Sequence, residues 1–317
     1  MTARPIIIDC DPGQDDAINL LLALAAPDEL KVLGITTVAG NVPLALTERN
    51  ARLMCDIAGR TDVPVFAGSD KPLQRSLITA ENVHGRSGID GIDIVPPVTP
   101  LQPMHAIDFI IEKLESAALE SVTLVPTGPL TNIAAAISRQ PSILKAVREI
   151  VLMGGAMRQG GNTTPSAEFN MLVDPHAAKI VLACGRPIVA MGLDVTHKVL
   201  ANSARVARIR AIDTAPARAT AGMLEYFSRH DSKKYGKDGA PLHDPCTIAW
   251  LLQPNLFETR HCNIEIEVES ELTMGHTAVD FWGVSGRAAN AHWACDVDAE
   301  GFYELLSNRL AAYEGTQ

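Results

Sequence analysis

The sequence predicts an α/β fold with an open, mostly parallel, Rossmann-like sheet that helices cover on both faces. The main observation is that short β-branched runs alternate with Ala- and Leu-rich or amphipathic runs over the first 190 or so residues. A second observation is that no Pro/Ser linker, low-complexity tract or internal repeat divides the chain. We therefore expect one domain over residues 1–317.

The strand and helix runs follow one another in a regular βα order. Short Val- and Ile-rich runs are typical of strands, and longer runs with apolar residues at helical spacing are typical of helices. The predicted strands are 6–8, 32–38, 63–66, 122–125, 150–153 and 188–191, and the predicted helices are 17–26, 44–58, 105–117, 130–138 and 174–183. The longest stretch without such a pattern is 71–103, and long loops in compact domains are often functional.

The βα alternation ends after Asp194, where helical runs follow one another without strands between them. This change predicts a C-terminal helical addition to the sheet domain. The predicted elements here are helices over 203–212, 217–229 and 245–252, strands over 264–269 and 277–281, and a last helix over 299–313.

Composition and charge exclude several classes of partner. The formal net charge of -10 disfavours binding to nucleic acid or to anionic membranes. No apolar stretch reaches the ~18 residues of a membrane span, and no signal-peptide pattern precedes the first strand. The six cysteines are scattered, without a C-x-x-C pair, which is typical of reduced thiols. We therefore expect a cytoplasmic protein.

An acidic cluster lies directly after the first predicted strand. Asp9, Asp11, Asp15 and Asp16 occur within eight residues, at the point where the strand ends and the first helix begins. Ligand sites of open α/β sheets lie at this carboxyl edge. A single Asp here could simply cap the helix, but four carboxylates repel one another unless a hard divalent cation binds them. The cluster therefore predicts a metal site.

An acidic strand end also suits a haloacid-dehalogenase-like phosphatase, which uses an aspartyl nucleophile in a D-x-D-x-[TV] loop. In this chain the fifth position of that pattern is Gly13, which lacks the hydroxyl or branched side chain. No G-x-x-x-x-G-K-[ST] motif for nucleotide phosphates is present either. The phosphatase is therefore the less favoured alternative.

Several polar or Gly-rich segments also follow strands or begin helices. Taken singly, each is an ordinary turn or helix cap. They are Ala39-Gly40-Asn41, Asn82-Val83-His84-Gly85, Thr127-Gly128-Pro129, Met153-Gly154-Gly155, Gly160-Gly161-Asn162, Ala167-Glu168-Phe169-Asn170 and His243-Asp244-Pro245. Taken together with the D-x-D-P-G-x-D-D motif at 9–16, this series resembles the inosine-uridine preferring nucleoside hydrolase family over nearly the whole length.

The resemblance implies a calcium-dependent enzyme that splits ribonucleosides into base and ribose. The implied protein ligands of Ca²⁺ are Asp11, Asp16, the carbonyl of Thr127 and Asp244. An all-oxygen set with several carboxylates is what this large, hard cation accepts. Asp11 is also implied to be the general base that accepts a proton from a water bound to the metal.

The resemblance further implies a set of contacts to the ribose and to the base. Asp15 and Asn170 are expected at the 2′-hydroxyl, Asp244 and Asn41 at the 3′-hydroxyl, and Asn162 and Glu168 at the 5′-hydroxyl. Met153 and Phe169 are expected to form apolar walls, although both could equally be plain core residues. A histidine is the natural donor to the leaving base at neutral pH, and His243, next to the expected ligand Asp244, is the expected one. His84 and Tyr235 are expected base contacts and stay open as alternative donors.

Two expectations about assembly and activity stay open from the sequence. The family resemblance implies a homotetramer, and the sequence favours neither purine nor pyrimidine bases. A non-catalytic ribonucleoside-binding protein is the second alternative function, and retention of Asp11 argues against it.

Overall fold

The computed structural model describes the backbone of residues 3–235 and 239–313, and the side chains of residues 3–229 and 239–313. Within this part, ten strands form one sheet and two short strands pair separately. The strands are β1 Arg4–Cys10, β2 Leu30–Thr37, β3 Val65–Ala67, β4 Leu101–Gln102, β5 Val122–Pro126, β6 Val147–Met153, β7 Ile188–Met191, β8 Leu200–Ala201, β9 Ala240–Pro241, β10 Phe257–Ile266, β11 Thr277–Asp280 and β12 Ala291–Val297.

Helices connect most of these strands, as βα crossovers require. They are α1 Gln14–Leu24, α2 Leu44–Ile57, α3 Glu81–His84, α4 Ala106–Ser116, α5 Thr131–Arg139, α6 Phe169–Val173, α7 Pro175–Leu182, α8 Leu193–Thr196, α9 Ser203–Arg210, α10 Ala215–Tyr235, α11 Pro245–Leu252 and α12 Ala299–Ala311. Short 3-10 helices cover Pro141–Ala146, Pro254–Leu256 and Glu271–Thr273. No helix in the described ranges is long and apolar enough to cross a membrane.

The sheet order is β11-β10-β12-β7-β6-β5-β1-β2-β3-β4. All pairs from β12 through β7 to β4 are parallel, and β10 pairs antiparallel with β11 and β12. The predicted open, mostly parallel sheet is therefore confirmed. Because β1 lies between β5 and β2, the acidic segment that follows β1 emerges near the middle of the carboxyl edge.

Apolar cores lie on both faces of the sheet, as a parallel sheet requires. Successive residues of β1 show this, because Ile6 and Ile8 pack into one core and Ile7 packs into the other. The first core includes α1, α2, α10, α11 and α12, and the second includes α4, α5 and α7. The prediction of helices on both faces is confirmed.

The C-terminal region differs from the prediction in its strands. Its last strand, β12, was not predicted, and β10 begins at Phe257 rather than at residue 264. β12 reads A-H-W-A-C-D-V, with few β-branched residues, and its strand state depends on pairing with β7 and on the fully buried ring of Trp293. The region after Asp194 therefore extends the sheet as well as adding helices.

Candidate active site

A cavity opens at the carboxyl edge of the sheet. Its volume of about 280 Å³ is small for a ligand site. Segments that follow β1, β2, β5 and β6 reach it, together with α3, α6, α10 and the start of α11. Its lining residues are Asp15, Asn41, Thr79, Ala80, Asn82, Val83, His84, Thr127, Met153, Asn162, Thr163, Glu168, Phe169, Asn170, Phe227, His243 and Asp244.

The structure brings most of the sequence-predicted site residues to this one cavity. Eleven of them are in its lining, namely Asp15, Asn41, His84, Thr127, Met153, Asn162, Glu168, Phe169, Asn170, His243 and Asp244. Asp11 and Asp16 do not line it and are buried close by, and Asp16 lies beside the lining residues Asp15 and Asp244. Tyr235 falls outside the described side chains.

The carboxylate cluster, as we call Asp11, Asp15, Asp16 and Asp244, is almost completely buried. Asp15, Asp16 and Asp244 each offer a carboxylate oxygen, and these oxygens lie within 4.8 Å of one another. Burial raises the pKa of every member, and the neighbouring carboxylates contribute to the rise for Asp11, Asp15 and Asp244. The pKa of Asp15 is raised to about 7. Such a cluster is costly to ionise without a positive charge.

Asp11 lies in a tight backbone cradle. The backbone N–H of Asn41 donates to its Oδ2 atom at 2.7 Å, while Oδ1 is buried without a hydrogen-bond partner among the described residues. A Cβ atom at Gly40 or Gly128 would come within 2.1 or 2.5 Å of the Asp11 carboxylate. Glycine at both positions therefore allows the backbone to approach this side chain from two sides.

Asp16 is oriented by three donors from separate segments. Thr127 Oγ1 donates to its Oδ1 atom at 2.7 Å, and Asn41 Nδ2 and the backbone N–H of Gly13 donate to Oδ2 at 3.3 Å. Asp9 lies deeper, where it accepts hydrogen bonds from Thr36 and Asn132. Asp9 therefore supports the end of β1 rather than lining the cavity.

The carboxylate cluster fits a hard divalent cation. Oδ1 of Asp11 and Oδ1 of Asp15 are both buried without a donor among the described residues, and a cation would satisfy such oxygens. Among the described residues, the acidic, Cys and His side chains whose ligand atoms lie within 4.8 Å of one another are Asp15, Asp16 and Asp244, with no Cys or His of the kind that binds zinc. The sequence-based ligand set has Asp11 in place of Asp15.

The carbonyl of Thr127, another predicted ligand, faces Asn170. Asn170 Nδ2 donates to this carbonyl at 2.7 Å and to the carbonyl of Met153 at 3.2 Å. A carbonyl oxygen has two lone pairs, so this hydrogen bond leaves one available for a cation. The contacts fix the Asn170 amide with its Oδ1 atom as the end available to a ligand.

The start of α6 presents a second polar group of residues to the cavity. Glu168 caps the helix, because its carboxylate accepts from the backbone N–H groups of Gly155, Asn170 and Met171. Asn162 Oδ1 accepts from the backbone N–H of Phe169 at 3.0 Å. Burial raises the pKa of Glu168, and the three backbone donors oppose that rise. These side chains are held rigidly before any ligand arrives.

The histidine pair, His84 and His243, lines another part of the cavity. Thr196 Oγ1 lies 2.7 Å from Nδ1 of His243. Burial lowers the pKa of His243 well below its usual value, and the nearby His197 and His84 act in the same direction. The ring of His84 stacks on Phe227 at 5.4 Å, and its Nδ1 lies 2.6 Å from Oε1 of Gln14.

Sequence reasoning did not assign site roles to Gln14, Thr196 or Phe227. Gln14 stands inside the acidic motif, and Thr196 follows β7 at the same sheet edge, so their positions after strands were the available signal. Phe227 lies in the predicted helix 217–229, for which the sequence analysis named no site residue, and it is almost completely buried.

Comparison with known proteins agrees with this geometry. Residues 6–304 match the profile of the inosine-uridine preferring nucleoside hydrolases. A relative from Shewanella sp. (strain ANA-3), the pyrimidine-specific ribonucleoside hydrolase RihA, is 48% identical over 315 residues, which are 99% of this chain and 98% of the relative.

Two solved structures share the fold over almost the whole chain. The plant nucleoside hydrolase PpNRh1 superposes with a TM-score of 0.90 and 30% identity, over 98% of this chain and 99% of that one. The purine-preferring ribonucleoside hydrolase from Gardnerella vaginalis gives the same TM-score, identity and shares. The phosphatase alternative is thereby set aside. This chain belongs to the inosine-uridine preferring nucleoside hydrolase family and is a ribonucleoside hydrolase, an enzyme that cleaves N-glycosidic bonds.

Proposed function

We propose that this enzyme hydrolyses the N-glycosidic bond of ribonucleosides with a calcium ion bound at the carboxylate cluster. The observation that carries the proposal is the pair of buried, unpartnered oxygens, Oδ1 of Asp11 and Oδ1 of Asp15, beside the Asp16 and Asp244 carboxylates. Buried carboxylates without donors are expected only where a cation or a substrate completes their coordination.

Asp11, Asp16, Asp244 and the Thr127 carbonyl hold the cation in this proposal, with Asp15 close enough to contribute. Bound calcium would attract the ribose hydroxyls and lower the pKa of a water molecule. Asp11 accepts the proton of the attacking water at Oδ1, which carries no other hydrogen bond among the described residues. The cradle of Gly40, Gly128 and the Asn41 N–H keeps this carboxylate in place.

The ribose binds between the carboxylate cluster and the start of α6. Asp15 and Asn170 contact the 2′-hydroxyl, Asp244 and Asn41 the 3′-hydroxyl, and Asn162 and Glu168 the 5′-hydroxyl. The prior hydrogen bonds of Asn170 and Glu168 support these roles, because preoriented groups lose little entropy on binding.

Bond cleavage places positive charge on the ribose and negative charge on the leaving base. The buried carboxylates stabilise the first charge, since their attraction is strong where water is excluded. His243 stabilises the second by donating from its imidazole ring to the base. Phe169 and Met153 supply apolar walls beside the sugar and the base.

We further propose that pyrimidine ribonucleosides are the preferred substrates. The pyrimidine-specific relative is 48% identical, whereas the purine-preferring structure is 30% identical.

The test is a ribose-release assay with uridine, cytidine and inosine on the purified enzyme. We expect release of ribose from the pyrimidine nucleosides, loss of activity after calcium is chelated, and recovery when calcium is restored. Absence of ribose from all three nucleosides in calcium buffer would contradict the proposal. Faster hydrolysis of inosine than of uridine would overturn the base preference alone.

A further inference from the structure

Each ring of the histidine pair is held through Nδ1 by a side chain that does not itself line the cavity. The partner of His84 is Gln14, and the partner of His243 is Thr196. We infer that Gln14 and Thr196 are positioning residues that fix the two histidines in opposite neutral tautomers, so that His84 offers the base a hydrogen-bond acceptor and His243 offers it a donor. The inference rests on the proposed function in taking a nucleoside base as the ligand between them.

Gln14 decides the tautomer of His84 because its amide orientation is fixed. Its Nε2 donates to two backbone carbonyls, that of His84 at 2.9 Å and that of Asp90 at 3.2 Å. Rotating the amide by half a turn would point its oxygen at both carbonyls, so Oε1 is the atom 2.6 Å from Nδ1 of His84. An amide oxygen only accepts, so Nδ1 carries the proton. The neutral ring then has an unprotonated Nε2, which accepts.

Thr196 has the opposite effect on His243. The hydroxyl of Thr196 is fully buried, and Nδ1 of His243 is its hydrogen-bond partner among the described residues. If Nδ1 carried the proton, the Thr196 hydroxyl hydrogen would remain buried without an acceptor among the described residues, which is unfavourable. The hydroxyl therefore donates to Nδ1. The neutral ring of His243 then carries its proton on Nε2, which donates.

The two partners are more deeply buried than the histidines that they contact. Gln14 is the first residue of α1 and is fully buried, and Thr196 is the last residue of α8, directly beyond β7. His84 and His243 are 7% and 9% exposed at the cavity. The polarity of each ring edge is thus set from the rigid sheet side before the base arrives.

Opposite tautomers select for the arrangement of donors and acceptors on the base. A base held by both rings must give a hydrogen to Nε2 of His84 and accept one at Nε2 of His243. The acceptor facing His243 gains negative charge as the glycosidic bond breaks, so that hydrogen bond strengthens in the transition state. The bond to His84 exists equally before and during cleavage, so it contributes to binding.

Nitrogen NMR of the calcium-loaded enzyme labelled with ¹⁵N at histidine rings tests the assignment directly. Spectra are recorded at a pH at which both rings are neutral, and the signals are assigned by their loss in His84→Gln and His243→Gln. We expect a protonated, pyrrole-like Nδ1 for His84 and an unprotonated, pyridine-like Nδ1 for His243. The same tautomer on both rings would overturn the inference, and this wild-type measurement needs no positioning variant to fold.

Substitution of each positioning residue tests the inference by steady-state kinetics, with uridine as the substrate. Thr196→Val removes the hydroxyl at constant shape, so we expect a mixed tautomer for His243 and a kcat lower by about 5- to 10-fold with little change in KM. Thr196→Ser restores the hydroxyl and should recover both the tautomer and kcat. An unchanged His243 tautomer in Thr196→Val would refute the role of Thr196.

Gln14→Met keeps the length of the side chain but removes the amide. We expect a mixed tautomer for His84, an unchanged spectrum for His243, and a KM for uridine raised by about fivefold. A His84 signal that stays pyrrole-like at Nδ1 would refute the role of Gln14. Loss of ribose release in the wild type would contradict only the proposed function, because the tautomers are observed without turnover.

Discussion

The carboxylate cluster and the histidine pair lie at the same cavity, and they are built on opposite principles. In the cluster, two buried oxygens lack donors and burial raises the pKa of all four acids. In the histidine pair, each ring already has a hydrogen-bonded Nδ1 atom. The carboxylates need a positive charge to satisfy their oxygens, whereas the Nδ1 atoms of the two histidines are already hydrogen-bonded to neutral side chains. Charge stabilisation and base reading are therefore separated within one small site.

The largest effect is expected when the proposed general base in the carboxylate cluster is neutralised. Asp11→Asn keeps the shape of the side chain and the Asn41 contact but removes its basicity, so we expect kcat to fall by on the order of 10² to 10⁴. Steady-state ribose release from uridine measures it. Asp213→Asn is the control, because Asp213 is exposed and its ion-pair partner among the described residues is the surface residue Arg218. An unchanged kcat in Asp11→Asn would assign the base to another residue.

A substrate that lacks the 2′-hydroxyl tests the contacts of the same cluster with the ribose. With 2′-deoxyuridine, Asp15 and Asn170 lose their proposed partner at a buried site, so kcat/KM should fall by roughly 10²-fold relative to uridine. Parallel progress curves at equal enzyme concentration measure the ratio. Equal efficiencies for the two nucleosides would show that the cluster does not bind the 2′-hydroxyl.

Stability as a function of pH should separate the buried acids, Asp9 and the carboxylate cluster, from the histidine pair when calcium is absent. The pKa values of Asp9 and Asp15 are raised from 3.8 to about 7, so the folded chain binds more protons than the unfolded chain between these values. The contribution of these two acids to the free energy of unfolding therefore falls as pH rises from about 4 through 7. Asp11 and Asp244, whose pKa values burial raises well above their usual value, act in the same direction.

Thermal unfolding in a chelator should accordingly show a Tm that decreases over this window. Calcium should raise Tm most at the upper end, where the carboxylates are ionised and bind it best. The lowered pKa of His243 acts in the opposite direction, because the unfolded chain binds its proton more tightly. The scan is therefore repeated with His243→Gln, and a Tm of that variant in chelator that rises steadily from pH 4 to 7 would contradict the direction of the acid pKa shifts.

The smallest effect is expected at the aromatic support of the histidine pair. Phe227→Leu removes the ring that stacks on His84 at 5.4 Å, so we expect KM for uridine to rise about threefold with kcat nearly unchanged. Phe257→Leu, which removes a buried ring of β10 that packs on Trp250 and does not line the cavity, is the matched control. A fall in kcat without a change in KM would mean that His84 acts in the chemical step.

The central strands and the acidic motif could be predicted from the sequence because their signals are local. Ile6, Ile7 and Ile8 form an apolar run, and the four acids of 9–16 directly follow it. β12 could not be predicted, because Trp293 and its neighbours become a strand through pairing with β7. The proposed roles of Gln14 and Thr196 could not be predicted either, because a neutral hydrogen-bond partner leaves no periodic pattern in the sequence.

The position of β1 between β5 and β2 has a consequence for how the protein is made. The ribosome releases Asp11 and Asp16 early, but Thr127 follows more than a hundred residues later and Asp244 later still. Parallel pairings between distant segments close long loops and form slowly. The cavity can therefore be completed only when most of the chain has been synthesised, and no N-terminal fragment that stops before Asp244 can carry the assembled site.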